Sequence, residues 1–173
     1  MPSSKSSEIA LKDDLFVITP NSKELGKQSF EEGKYQETIG YLQDWLNLNP
    51  QDQEALILIA QSYANQANYE KAIKLCHHIL EIDSSSLPAL GILAQIAEEQ
   101  DRLEDAKEYL RRMTFIDPNY VTAYLDLIDL HIRDQEYQMA GTLLFTLKTI
   151  TNNAPNQYEH RIKAIENFMA QLT

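Results

Sequence analysis

Small and apolar residues recur along this chain every 34 residues, in four copies. A small residue falls at Thr38, Ala72, Ala106 and Ala140, and three places earlier stand Tyr35, Tyr69, Leu103 and Tyr137. Four places after the small residue come Leu42, Cys76, Leu110 and Leu144, followed by Trp45, Ile79, Met113 and Leu147. Spacings of four and seven place these side chains in one stripe on a helix. An earlier stretch of each copy sets a large residue beside a small or apolar one, in Leu25-Gly26, Ile59-Ala60, Leu93-Ala94 and Leu127-Ile128. Pro50, Ser84, Pro118 and Asn152 close the copies. A period of this length predicts stacked helix–turn–helix units, the sequence signature of a helical solenoid.

With the turn residue closing each unit, the repeats run 19–52, 53–86, 87–120 and 121–154, after a segment 1–18 and before a helix in 155–173. The stretches Gly33-Lys34-Tyr35-x-x-Thr38, Asn68-Tyr69-x-x-Ala72, Arg102-Leu103-x-x-Ala106 and Glu136-Tyr137-x-x-Ala140 resemble the turn and second-helix start of the tetratricopeptide repeat. Thr38 departs from the usual alanine, and Ser84 and Asn152 from proline. The resemblance implies an all-α fold, a right-handed α-solenoid of four repeats with a C-terminal capping helix. Small side chains at matched positions let paired helices approach closely, and a leucine at Ala72 or Ala106 would overpack the crossing. Asn49-Pro50-Gln51-Asp52 and Asp117-Pro118-Asn119 stop one helix and offer an Asx cap to the next, and Ser84-Ser85-Ser86 does so without proline. In the last segment, Tyr158, Ile162, Ile165, Phe168, Met169 and Leu172 share one face, with Glu159, Arg161, Lys163 and Glu166 away from it. That is the pattern of an end cap.

Charge narrows the partners. Fifteen basic against 26 acidic residues give −11, which opposes a phosphate backbone or an anionic membrane surface. No run approaches the ~20 apolar residues of a membrane span, and Met1–Glu8 lacks a signal-peptide core. One cysteine, Cys76, forms no intrachain disulfide, so a reducing, cytoplasmic setting is expected. Residues 1–7 are Ser-rich, whereas Ile9, Leu11, Leu15, Phe16, Val17 and Ile18 could pack on the first repeat's edge or occupy the groove as an internal ligand.

Catalytic constellations are missing from the sequence: it has no Gly-rich phosphate loop, no Gly-x-Ser-x-Gly and no His-Glu-x-x-His. In Cys76-His77-His78, neighbouring helical residues point about 100° apart and cannot converge on one ion. The expectation is a protein with no enzymatic activity, metal or cofactor.

The resemblance assigns groove-facing places to the second, fifth, ninth and twelfth residues of each repeat. These include Lys23, Lys27 and Phe30 in the first unit, Ile57 and Gln61 in the second, Gly91 and Gln95 in the third, and Leu125, Asp129 and Ile132 in the fourth. Ile57, Leu125 and Ile132 would be exposed apolar anchors, and such patches mark interaction sites. Gln61 and Gln95 offer amides to a partner backbone, and Gly91 leaves room for a side chain. Lys23 and Lys27 match two basic places of the family's carboxylate clamp, but Leu58, Ile92, Gln95 and Glu98 depart from the rest.

The expected function is a protein–protein interaction scaffold that holds a partner peptide or helix in its concave groove, with no nucleic acid and no membrane insertion. Two alternatives accompany it. One is a cytoplasmic chaperone or assembly factor for a client protein, such as a secretion chaperone. The other is a regulatory repeat module: Leu93–Gln100, Ala106–Arg112 and Ile116–Pro118 look like repeats appended to chemotaxis-type methyltransferases. A homodimer through the cap helix or segment 9–18 stays open.

Overall fold

The computed structural model describes residues 21–151 and 157–171, so the expectations for 1–18, Pro20, Asn152, Pro155 and Leu172 fall outside them. Among the described residues there are nine α-helices and no strand: α1 Ser22–Glu31, α2 Tyr35–Leu48, α3 Gln53–Asn65, α4 Tyr69–Ile82, α5 Leu87–Glu99, α6 Leu103–Ile116, α7 Val121–Arg133, α8 Tyr137–Thr151 and α9 Glu159–Ala170. The fold is an all-α, right-handed solenoid. Each helix packs on the next, α1 also lies against α3, and α3 against α5.

The paired helices meet where the sequence places small residues. Thr38, Ala72, Ala106 and Ala140 have no solvent exposure. Thr38 fits because its hydroxyl donates to the Lys34 carbonyl at 3.1 Å, so no buried polar group is left unpaired. Gly26 makes the tightest crossing: a Cβ there would stand 2.5 Å from Cγ and Cδ2 of the fully buried Leu42. Gly26→Ala is expected to cost about 1–3 kcal/mol by overpacking, read as a lower urea midpoint. An unchanged midpoint would show that Leu42 can give way.

The turn inside each helix pair repeats in the backbone itself. Gly33 (φ 72°), Ala67 (56°), Asp101 (57°) and Gln135 (61°) are all left-handed. The amide after each reaches back five residues, from Lys34 to Ser29, Asn68 to Tyr63, Arg102 to Ala97 and Glu136 to His131, at 2.8 Å in all four. This closes the first helix with the paired reverse bonds that satisfy its last carbonyls. Ala67, Asp101 and Gln135 accept a conformation that glycine adopts freely.

Helix starts follow the sequence less evenly. Asp52 caps α3, its Oδ1 accepting from the Ala55 amide at 3.1 Å. Neither Ser86 nor the Asp117–Asn119 turn caps its helix with a side chain. Asp83 and Asp117 instead fold back on the amides of Ser85 and Asn119.

The core is one continuous sequence of clusters along the stack. Ile39, Leu42, Ala55 and Ile59 fill the first, Leu56, Cys76, Ile79 and Leu93 the second, Leu90, Leu110, Met113 and Leu127 the third. The last contains Tyr124, Leu125, Ile128, Leu144 and Leu147 together with Ile162 and Ile165 of α9. The buried stripe of α9 runs through Tyr158, Ile162, Ile165 and Met169. Phe168, expected on that stripe, is 42% exposed because it lies one residue off it. The polar side of α9 also differs from expectation. Arg161 pairs with Asp126 and Asp129 of α7, and Glu166 with Lys148 of α8.

Candidate functional site

The inner face is built by the first helix of each pair, and the expected groove residues divide into three groups there. In the first unit the basic residues are already committed. Lys23 Nζ lies 2.8 Å from both Asp52 and Glu54, and Lys27 Nζ 2.5 Å from Glu54. Hydrogen bonds to Asp52 and Glu54 raise the Lys23 pKa, and the two lysines lower that of Glu54. Trp45 Nε1 donates to the same Asp52 oxygen at 2.8 Å. Burial would raise the Asp52 pKa, but these donors outweigh it and the carboxyl stays below its ordinary range. A carboxylate clamp made from Lys23 and Lys27 would have to break this network. Phe30 meets Tyr35 edge-on, with ring centroids 5.7 Å apart.

In the fourth unit the groove assignment fails at Leu125. Its side chain is fully buried in the cluster that α9 completes, so it anchors the end of the stack and presents nothing to a ligand. Ile132 is half-buried against the same cluster, and Asp129 is held by Arg161. α9 packs on the last cluster and pairs with α7 and α8, and it claims residues that a free inner wall would expose.

The middle units form the recess. Ile57 and Gln61 are half-buried on α3, and Gln95 Nε2 donates to Glu99 at 3.0 Å. α5 and α7 stand further apart than α3 and α5. Between them lies a cavity of about 330 Å³ lined by Gly91, Ala94, Gln95 and Glu98 of α5, Leu110 and Met113 of α6, and Tyr120, Thr122 and Asp126. Gly91 opens it: a Cβ there would be 3.7 Å from Met113 Cε, an ordinary contact, so nothing in the packing requires glycine. Glu98 and Asp126 at the rim are partly neutralised by Arg133 and Arg161.

One cluster carries a signal that groove logic missed. Lys107 has no solvent exposure, and its ammonium lies 2.8 Å from Glu104, 2.5 Å from Asp134 and 2.6 Å from Glu136. Burial pulls its pKa down, but the three carboxylates outweigh this and the net shift is upward. His131 Nδ1 shares Glu136 at 2.6 Å, and its Nε2 is buried with no partner among the described residues. The three carboxylates lie within 4.8 Å of one another, a spacing that could hold a cation, and here the Lys107 ammonium occupies the centre. The readable sign was a lysine in the column that holds Ile39 and Ile73 in earlier repeats. Cys76 is buried, which pushes its thiol up to about 12, while His77 and His78 face solvent. They do not converge. No helix among the described residues is long and apolar enough to cross a membrane.

Residues 31–113 match the family described as anaphase-promoting complex, cyclosome, subunit 3. No curated protein matches. Among solved structures, a MamA protein is 18% identical with a TM-score of 0.67, covering 89% of this chain and 87% of that one. The first repeat domain of Spaghetti (RPAP3), bound to an HSP90 peptide, is 22% identical with a TM-score of 0.60, covering 65% and 89%. A tetratricopeptide repeat protein from Parabacteroides merdae is 16% identical with a TM-score of 0.72, covering 87% of this chain and 59% of that one. Identities this low establish a shared fold.

Proposed function

We propose, on the premise that this chain is a tetratricopeptide-repeat solenoid, that it is a non-enzymatic scaffold holding a segment of a partner protein along its inner face. The observation that carries this reading is the recess between α5 and α7. Its floor is apolar, from Met113, Leu110 and Ala94, and its rim is polar, from Gln95, Thr122, Glu98 and Asp126. A site of that composition takes one anchoring side chain and fixes the register of the chain that bears it. Gln61 and Gln95 occupy equivalent places one repeat apart, so their amides can meet the backbone of an extended segment. The committed lysines of the first unit weigh against recognition of a terminal carboxylate. A structural neighbour with a bound peptide supports the general mode of use.

The test fills the recess. Gly91→Tyr projects into open space and removes a helix-interior glycine, which costs about 1 kcal/mol relative to alanine. The variant is expected to melt no lower than wild type while losing its partner in affinity capture from native lysate. Ile57→Glu, on a half-buried inner position, should weaken the same capture. A partner retained at wild-type level by both variants would refute the groove. A chaperone role would appear in the same experiment as capture of a client that is insoluble alone.

A further inference from the structure

The outer face of the second repeat carries a separate apolar recess. Leu56, Ile59 and Tyr63 of α3 form its floor, Leu46 of α2 and Leu75 of α4 its walls, and it is an open, shallow depression of about 360 Å³. The wall position of Leu75 is Tyr41 one unit earlier and Tyr109 one unit later. Tyr109 packs against the cores on both sides of it, and so do the shorter Leu75 and Leu143 at the same place in their units. Leu75 is shorter than the tyrosine of either neighbouring unit, and the recess lies beside it and Tyr63.

The lining side chains able to carry charge are basic. Lys71, Lys74 and His78 line the recess with Gln43, and no carboxylate does. Lys71 Nζ stands 5.2 Å from the Tyr63 ring centroid and acts on exposed Glu70 at longer range than Lys74 does. Lys74 and His78 have only exposed neighbours, Glu70 at 2.7 Å and Glu81 at 3.6 Å. Exposed pairs of this kind are worth little and exchange readily for an incoming carboxylate. In a chain of net charge −11, cations gathered around an apolar floor favour one class of ligand.

We propose that this outer recess docks an acidic segment of a partner protein, with one bulky apolar side chain inserted against Tyr63 and flanking carboxylates on Lys71 and Lys74. The site lies on the opposite face from the α5–α7 recess and does not depend on it.

Fluorescence polarisation with the full chain tests it. The probe is a dye-labelled peptide with a tryptophan–leucine pair flanked by two glutamates on each side, and the control replaces the glutamates with lysines. Saturable binding of the acidic probe is expected, weakened by added salt, with at least tenfold weaker binding of the control. Leu75→Tyr, a residue that the neighbouring repeats carry at this place, should keep wild-type helicity and lower affinity at least tenfold. The exposed pair Lys71→Glu/Lys74→Glu should do the same without touching the core, so it decides the matter even if Leu75→Tyr alters packing. Gly91→Tyr should leave this binding unchanged. Absence of saturable binding, or equal binding by the lysine-to-glutamate variant, overturns the proposal. So does a tenfold gain in affinity on deleting residues 1–18, because the occupant would then be the chain's own segment.

Discussion

Lys107→Met is expected to lower stability by about 2 kcal/mol at neutral pH, and the loss should shrink as the solution is acidified. Removing one partner from a buried ion pair costs about 3–5 kcal/mol when the other charge is left unsolvated. Here the orphaned groups are Glu104, Asp134 and Glu136, whose side chains are 71%, 43% and 43% exposed, so water recovers part of the cost. What remains is their mutual repulsion and the unpaired surroundings of His131. The sign with pH follows from the shifts. The Lys107 pKa is raised, so its contribution is complete below the ordinary value of 10.5 and lost only as pH rises through the higher folded value. The Glu136 pKa is lowered, mainly by its hydrogen bond with Lys107, so its contribution is present above 4.5 and lost as pH falls through the folded value. The variant lacks the Lys107 hydrogen bond to Glu136, so it has less of this contribution to lose, and the gap to wild type narrows from pH 7 to pH 4. Urea midpoints at the two pH values measure this. A gap that stays constant would assign the effect to lost packing of the lysine stem.

Ile162→Asp with Ile165→Asp is expected to release α9 from the stack. Each isoleucine contributes about 1.5–3 kcal/mol by burial, and an unpaired carboxylate in its place costs more. The combined penalty exceeds about 5 kcal/mol, well beyond what the ion pairs of exposed Arg161 and Lys148 return. Because repeats in a solenoid contact only their neighbours, the helix should detach without unfolding the first three repeats. Far-ultraviolet circular dichroism should lose about one helix of signal, and a dye that reports apolar surface should brighten as Tyr124, Leu125 and Ile128 meet water. A spectrum and melting curve like those of wild type would show that α9 is an ornament on a self-sufficient stack.

The helical pairing was legible because it rests on residues that must be small. Gly26 stands against Leu42 of the facing helix, and Ala72 and Ala106 are fully buried at the matching crossings. The turns were only half legible. Gly33 advertises a left-handed residue, but Ala67, Asp101 and Gln135 adopt the same backbone with no sequence sign, because the reverse hydrogen bonds outweigh the modest steric cost. The inner face was legible as a set of positions and less so as a surface. Leu125 reads as exposed from its repeat position alone, whereas its side chain is buried in the cluster that α9 completes. Lys23, Lys27 and Asp129 read as available charges, but partners 27 to 32 residues away in sequence claim them. Pairings of that reach come from stacking, and one unit's sequence does not announce them.

The first helix joins the stack by a different rule from the rest. Its buried residues are Ser22, Gly26 and Ser29, and it places no large side chain in the first core cluster. Its attachment rests on close backbone approach and on two lysines reaching the next pair. Such an attachment opens at little cost, and amide protons there should exchange with solvent first. The array is expected to open first at this helix, before the last pairs that Lys107 and Arg161 hold together.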